Sequence, residues 1–191
     1  QRASSAGTLP SGWIATAGAD KQLKVWNTES GELIRSIATG EKPATALASS
    51  PDGAELTMAD GANRVLVWNP HNGLLQHILR GHAGVVHATG FVPGAGRLIT
   101  ASADKSVRVW DISQTWQDAV DMGPFDDRVV ALDFSPDSKL LAIGGGAPAA
   151  RGELLLWDVE KNELHKKFDN AHSDTVFGVA SMLLHILKVE E

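Results

Sequence analysis

An all-β fold, built from repeated four-stranded antiparallel sheets, is what three features of this sequence predict. Trp26, Trp68 and Trp110 recur at intervals of 42 residues and Trp157 follows after 47, each near the end of a similar phrase: LKVWN (23–27), LVWN (66–69), VRVWD (107–111) and LLLWD (154–158). Residues 81–111 hold three short runs of β-forming residues, at 85–91, 97–102 and 107–110, separated by Pro93-Gly94-Ala95-Gly96 and Ala103-Asp104-Lys105. Short runs bounded by Gly, Pro and Asp read as strands of an antiparallel meander. The run Ser106-Val107-Arg108-Val109-Trp110 alternates polar and apolar residues, which places Val107 and Val109 on one buried face of a strand. One such sheet cannot cover its own apolar faces, and the repeats supply the copies that can.

Taken in order, residues 1–12 are rich in Ser, Gly and Ala and read as a loose lead-in. Strand-like 13–17, 23–26 and 33–37 then form a first unit of three strands (13–37) with its first strand missing. The second unit (44–79) has strands at 44–48, 55–59, 64–68 and 74–79, with Ser50-Pro51-Asp52-Gly53 as a tight turn. The third (81–120) adds an outer strand at 116–120. The fourth (125–168) has strands at 129–134, 140–144, 153–157 and 163–168. A fifth phrase, AHSDTVFGVA (171–180), predicts one more strand at 175–180, and the tail 181–191 matches no repeat. Three, four, four, four and one strands make four complete sheets if the last strand joins the first unit, a closure that removes exposed sheet edges.

A period in the low forties, with Gly81-His82 near one end and Trp110-Asp111 near the other, is the mark of a propeller blade. Residues 13–180 resemble the WD-repeat (WD40-type) β-propeller family, with about four blades present. The resemblance implies a hydrogen-bonded structural tetrad in the third blade, His82, Thr100, Asp104 and Trp110. It leaves partial sets elsewhere: Thr16, Asp20 and Trp26 in the first blade, Trp68 in the second, Trp157 in the fourth, and His172 in the fifth phrase. Met58 and Ala62 stand at the hydroxyl and carboxylate positions of the second blade, and Phe125 near the His position of the fourth. A buried indole N–H, a hydroxyl and an imidazole each need a partner, and a chain through all of them satisfies each.

Composition narrows the function. Forty-three per cent apolar and 21% charged residues describe an ordinary globular chain, and a formal charge of −6 argues against nucleic acid or an anionic membrane as partner. With no Cys, disulfides and thiolate-held metals are excluded and the compartment stays open; a soluble, cytoplasmic setting is the expectation. No apolar run approaches the roughly 20 residues of a membrane span. The start, QRASSAGTLPSG, has neither initiator Met nor apolar signal core and reads as a processed or cut end. A fragment of a longer chain, or a homodimer of two incomplete rings, are the alternatives to a small closed ring.

The remaining clusters read as structural. The seven His residues show no ligand spacing, so no metal or cofactor is expected. Asp118, Asp121, Asp126 and Asp127 lack the twelve-residue calcium-loop pattern and read as a solvated linker. Gly144-Gly145-Gly146 has no following helix or Lys-Ser/Thr pair, and predicts a flexible exit from the fourth blade's second strand. The connection 144–152 is four residues longer than its counterpart in the third repeat. His, Asp and hydroxyl together suggest a catalytic triad, but no nucleophile elbow or oxyanion nest accompanies them, so no enzyme is expected.

The resemblance also implies a non-catalytic scaffold that binds a protein or peptide through one loop face. Its contact positions fall on Pro43, Thr45, Val85, His87, Arg128, Val130, Thr175 and Phe177, with Ala19 and Ala103 before the turn Asp residues and Arg151 in the long connection. The alternative is a piece of a larger bacterial-type multidomain WD-repeat protein whose kinase or cytochrome chemistry lies outside these residues.

Overall fold

A computed structural model describes residues 3–9, 12–40, 42–94, 96–112, 117–122 and 125–180. All its regular elements are strands: β1 (Ala3–Leu9), β2 (Trp13–Gly18), β3 (Gln22–Asn27), β4 (Leu33–Ala38), β5 (Ala44–Ser49), β6 (Leu56–Asp60), β7 (Val65–Trp68), β8 (Leu75–Leu79), β9 (Val86–Val92), β10 (Arg97–Ser102), β11 (Val107–Asp111), β12 (Gln117–Asp121), β13 (Val129–Phe134), β14 (Leu140–Gly146), β15 (Gly152–Asp158) and β16 (Glu163–His172). They form four sheets of four antiparallel strands, each in sequence order. The register is the same in every sheet: Ile14, Leu56, Leu98 and Leu141 stand opposite Trp26, Trp68, Trp110 and Trp157.

The turns between second and third strands explain part of this regularity. Lys21, Asn63 and Lys105 all take left-handed backbone conformations, with φ of 61°, 63° and 69°. In each, the amide N–H donates to the carbonyl three residues earlier, Gly18, Asp60 or Ser102. Unbranched or Asx side chains tolerate that conformation, whereas a β-branched residue would be strained.

Neighbouring sheets pack face to face through three apolar layers. The first joins Ala15, Ala17, Leu23 and Val25 to Leu56, Met58, Leu66 and Trp68. The second joins Ala46, Ala59, Val65 and Val67 to Val86, Phe91, Leu98 and Trp110. The third joins Ile99, Ala101, Val107 and Val109 to Val129, Leu141, Ile143 and Leu155, with Trp157 against it. Each tryptophan-bearing face therefore covers the small and β-branched face of the preceding blade. The innermost strands follow one another, β1 on β5, β5 on β9 and β9 on β13, while no comparable contact joins the first and fourth sheets among the described residues. The four blades form an arc.

Three expectations about the ends change. Residues 1–12 are not a loose lead-in throughout: β1 pairs with β2 from Leu9↔Trp13 to Ala3↔Gly18 and is the inner strand of the first blade. Small residues such as Ala, Ser and Gly hide a strand from pattern reading, because they carry no alternation of apolar bulk. With that place filled, residues 175–180 cannot complete the first blade, and they form no strand. They lie instead against the fourth blade, where the Val176 N–H donates to Gly145 O at 3.0 Å. The tail 181–191 lies outside the described residues.

The glycine run is also part of the sheet. Gly144, Gly145 and Gly146 pair with Leu154, Glu153 and Gly152, so the longer connection lengthens the β14–β15 hairpin and leaves only 147–151 as its tip. A Cβ on Gly145 would sit 2.2 Å from Arg128 O, and one on Gly144 2.9 Å from Val176 Cγ1. Close approach of neighbouring chain, rather than flexibility, is what requires glycine here.

Candidate functional site

The molecule has two candidate sites: the polar network inside the third blade, and the end of the arc where the inner strands begin. In the network, Asp104 is held by the β10–β11 turn and His82 by the loop entering β9. His82 Nδ1 lies 2.8 Å from Asp104 Oδ2, and His82 Nε2 lies 2.8 Å from Thr100 Oγ1. The Trp110 indole donates to the same Thr100 oxygen at 2.9 Å. With the His82 Nδ1 proton directed at the carboxylate, Thr100 donates to Nε2 and accepts from Trp110, so each group is satisfied.

Asp104 gathers further donors: the N–H of Ala83 at 2.8 Å, the N–H of Ser106 at 3.0 Å and the Ser106 hydroxyl at 2.7 Å. Burial pushes its pKa up, but the hydrogen bonds from Ser106, His82 and Ala83 outweigh that and hold it at about 2. Ser102 completes the cluster by donating to Gly84 O and accepting from Asp104 N–H. The whole set fastens the loop before β9 onto the β10–β11 turn. Thr100 is fully buried and the His82 side chain is 1% exposed, so the hydroxyl is enclosed within the sheet stack.

The other blades use different means. In the first, Trp26 donates to Thr16 at 2.9 Å, and Asp20 accepts the Gln22 N–H and pairs with Lys24 at 3.4 Å. In the second, Asp60 and Arg64 occupy the places of Ser102 and Ser106, eight and four residues before the tryptophan. Asp60 is fully buried, accepts the N–H groups of Ala62 and Arg64, and takes two guanidinium bonds from Arg64. An ion pair in which two guanidinium N–H groups meet Asp60 Oδ2, while Oδ1 takes the backbone N–H groups, thus replaces the hydroxyl cluster. The sequence carries this as Asp-x-x-x-Arg (60–64) in register with Ser-x-x-x-Ser (102–106), two residues before the position of the turn carboxylate. Trp68 and Trp157 have indole N–H groups with no acceptor among the described residues, since Met58 and Ile143 stand where Thr100 does. His172 ends β16 opposite Gly152 on the surface, and so has no part in a buried network.

At the end of the arc bearing the β10–β11 and β14–β15 turns, the implied contact residues divide. The Thr45 hydroxyl donates to Val86 O at 2.6 Å, and Val85 O accepts the Ala103 N–H, so both are tied into the scaffold. Pro43 is exposed, Val130 half-buried, Ala19 exposed and Ala103 half-buried. His87 and Arg128 approach one another: burial, and then the Arg128 charge, lower the His87 pKa. Arg128 Nη2 reaches the buried Thr175 hydroxyl at 3.5 Å. Thr175 is fixed in turn by Asp174, whose carboxylate accepts the N–H groups of Thr175 and Ala149. Phe177, two residues on, is 75% exposed.

Arg151 projects from the hairpin tip 3.7 Å from Asp126, which pairs with Lys167 at 2.8 Å. That lysine hydrogen bond comes first in holding the Asp126 carboxyl below its usual range. Asp126 is therefore part of a surface ion-pair group joining the hairpin of one blade to the start of its inner strand, rather than an isolated solvated carboxylate. Among the described residues no group of three His, Asp or Glu side chains is placed to hold a metal ion.

Residues 73–111, from just before β8 through β11, match the family model described as WD domain, G-beta repeat. The chain is 27% identical to Autophagy-related protein 16 of Arabidopsis thaliana over 171 residues, covering 89% of this chain and 32% of that protein. It is 24% identical to Protein tipD of Dictyostelium discoideum, covering 88% of this chain and 26% of the relative. It is 34% identical to WD repeat and SOCS box-containing protein 1 of Takifugu rubripes, covering 58% and 26%. The chain thus spans about a third or less of the length of these relatives. Four blades in one register, a complete tetrad in the third and these likenesses make the chain similar to WD-repeat β-propeller proteins, most directly over residues 73–111.

Proposed function

We propose that the arc is a non-catalytic scaffold for protein–protein interaction, and that its partner rests on the end carrying the second-to-third-strand turns. WD-repeat relatives support the general role, and the exposure of Phe177 beside the Arg128–Thr175 contact supports the surface. A rigid sheet stack holds these loop residues in place, so little ordering free energy is lost when a partner binds. An exposed aromatic side chain two residues from the threonine that meets a guanidinium has the composition of an interface hot spot. Thr45 and Val85 act from beneath, as parts of the scaffold that set the spacing of the inner strands.

The test is an affinity capture of binding proteins by the parent chain, Phe177→Ala, Arg128→Ala and Arg151→Ala, each first checked for unchanged circular dichroism. Specific partners of the parent are lost with Phe177→Ala and Arg128→Ala if this surface is the interface. Partners retained by all three variants, but lost when exposed Leu74 and Leu75 on the outer strand are made polar, would move the interface to the rim.

A further inference from the structure

Successive turns of an antiparallel meander alternate between its two ends. The turns joining first to second strands therefore lie opposite the end where Thr175 and Val176 bond to Gly146 and Gly145. At that opposite end the residue before each tryptophan-facing Ile or Leu differs from blade to blade: Trp13, Glu55, Arg97 and Leu140 precede Ile14, Leu56, Leu98 and Leu141. Trp13 fills its place, packing on the first apolar layer and lying beside His71 of the second blade with ring centroids 5.1 Å apart. Glu55 leaves the corresponding place between the second and third blades open. The groove there, of about 340 Å³, is walled by Phe91, Val92 and Ile112 of the third blade and by Pro51, Asp52 and Glu55 of the second.

Its two carboxylates are held differently. Asp52 Oδ1 accepts the Ser50 hydroxyl at 2.6 Å and the Ala54 N–H at 3.0 Å, which fixes the side chain to its turn and keeps its carboxyl below the usual range. Burial, and then the Asp52 charge, push the Glu55 pKa up. Among the described residues neither carboxylate pairs with a cation. Arg97, next to the groove-lining Gly96, is exposed and in register with Asp111 across β10–β11. An apolar wall facing two negative charges matches one kind of side chain, a run of methylenes ending in a cation.

We propose that this groove is a second docking surface, taking a Lys or Arg side chain from a basic segment of a partner protein. The stem lies along Phe91, Val92 and Ile112 while the head meets Glu55 and Asp52, and the incoming charge relieves the repulsion between those carboxylates. An acidic or neutral segment leaves Glu55 partly desolvated beside a like charge and is rejected. The groove is separate from the surface around Phe177, so either can be filled without the other.

A capped tripeptide, Leu-Arg-Leu, titrated into the ¹⁵N-labelled chain at low salt is the probe, with Leu-citrulline-Leu as its uncharged counterpart. Binding in the groove shifts backbone amides of 52–56, 91–92 and Ile112, and citrulline in place of arginine weakens it about tenfold through loss of charge-assisted hydrogen bonds. Glu55→Gln, which keeps the side-chain shape, weakens the arginine peptide about fivefold, with the rest of the spectrum matching the parent. No shift with the arginine peptide, equal affinity for the citrulline peptide, or unchanged affinity in Glu55→Gln overturns the proposal. Shifts confined to His87 and 174–177 also overturn it, placing the cation at the other end of the arc. Calcium chloride shifting the groove amides at lower concentration than the peptide overturns it too, assigning the carboxylates to a metal ion.

Discussion

Replacing Thr100 by Val removes one oxygen and leaves the side-chain shape nearly intact, which makes it a direct measure of the third-blade network. The lost hydroxyl serves two buried neighbours at once, donating to His82 Nε2 at 2.8 Å and accepting from Trp110 Nε1 at 2.9 Å. Both side chains are almost wholly buried. Leaving a buried polar group unsatisfied costs about 1–3 kcal/mol. Two such groups, less the gain from burying a methyl in place of a hydroxyl, give a net loss of about 2–4 kcal/mol. For a chain of this size that corresponds to about 4–16 °C in Tm. Thr16→Val is the internal comparison: Thr16 accepts only the Trp26 indole and is half-buried, so its loss amounts to about 1 kcal/mol. Urea titrations at 25 °C, followed by near-ultraviolet circular dichroism, give both values. Equal losses for the two variants, or a Thr100→Val loss under 1 kcal/mol, would refute the idea that one buried hydroxyl, donating to His82 and accepting from Trp110, stabilises the blade.

Other consequences are open to measurement. Trp110→Phe costs more than Trp68→Phe by about 1 kcal/mol, because of these two only the Trp110 indole has an acceptor among the described residues; equal Tm shifts would count against the pattern. Asp104 has a folded pKa of about 2, below its ordinary 3.8, so its stabilisation is complete above about pH 4 and fades as the pH falls toward 2. Asp104→Asn should flatten that acid limb by about 1–2 kcal/mol after solvent screening, as read from urea midpoints between pH 5 and 2. Arg64→Ala leaves the buried Asp60 carboxylate with backbone N–H groups alone and costs about 3 kcal/mol, more than an exposed Arg151→Ala at under 0.5 kcal/mol. Gly144→Ala meets movable Val176 and Val179 methyls and should speed hydrogen exchange at 174–179, whereas Gly145→Ala meets the Arg128 backbone and should destabilise the whole fourth blade.

The blade pattern was legible in the sequence because it rests on local chemistry. Alternating Val and Trp residues, Asp-Lys turns and a regular tryptophan spacing each dictate a strand, a hairpin or a register without reference to distant residues. Ala3–Leu9 was not legible, since Ala, Ser and Gly carry no apolar alternation and become a strand only when β2 offers an edge. Asp60 and Arg64 were visible as residues but not as a pair replacing Ser102 and Ser106, because that equivalence belongs to register within a folded sheet. The roles of Gly144, Gly145 and Gly152 lay further out of reach: a missing Cβ acquires meaning only from the neighbour that occupies its place. Sequence alone therefore determined what each blade is made of, through short-range propensity and burial pattern. Tertiary structure decided which strand completes the first blade and what lies across the last, because β1 becomes a strand only against the edge of β2 and the segment 174–180 seats only where Gly144 and Gly152 leave room.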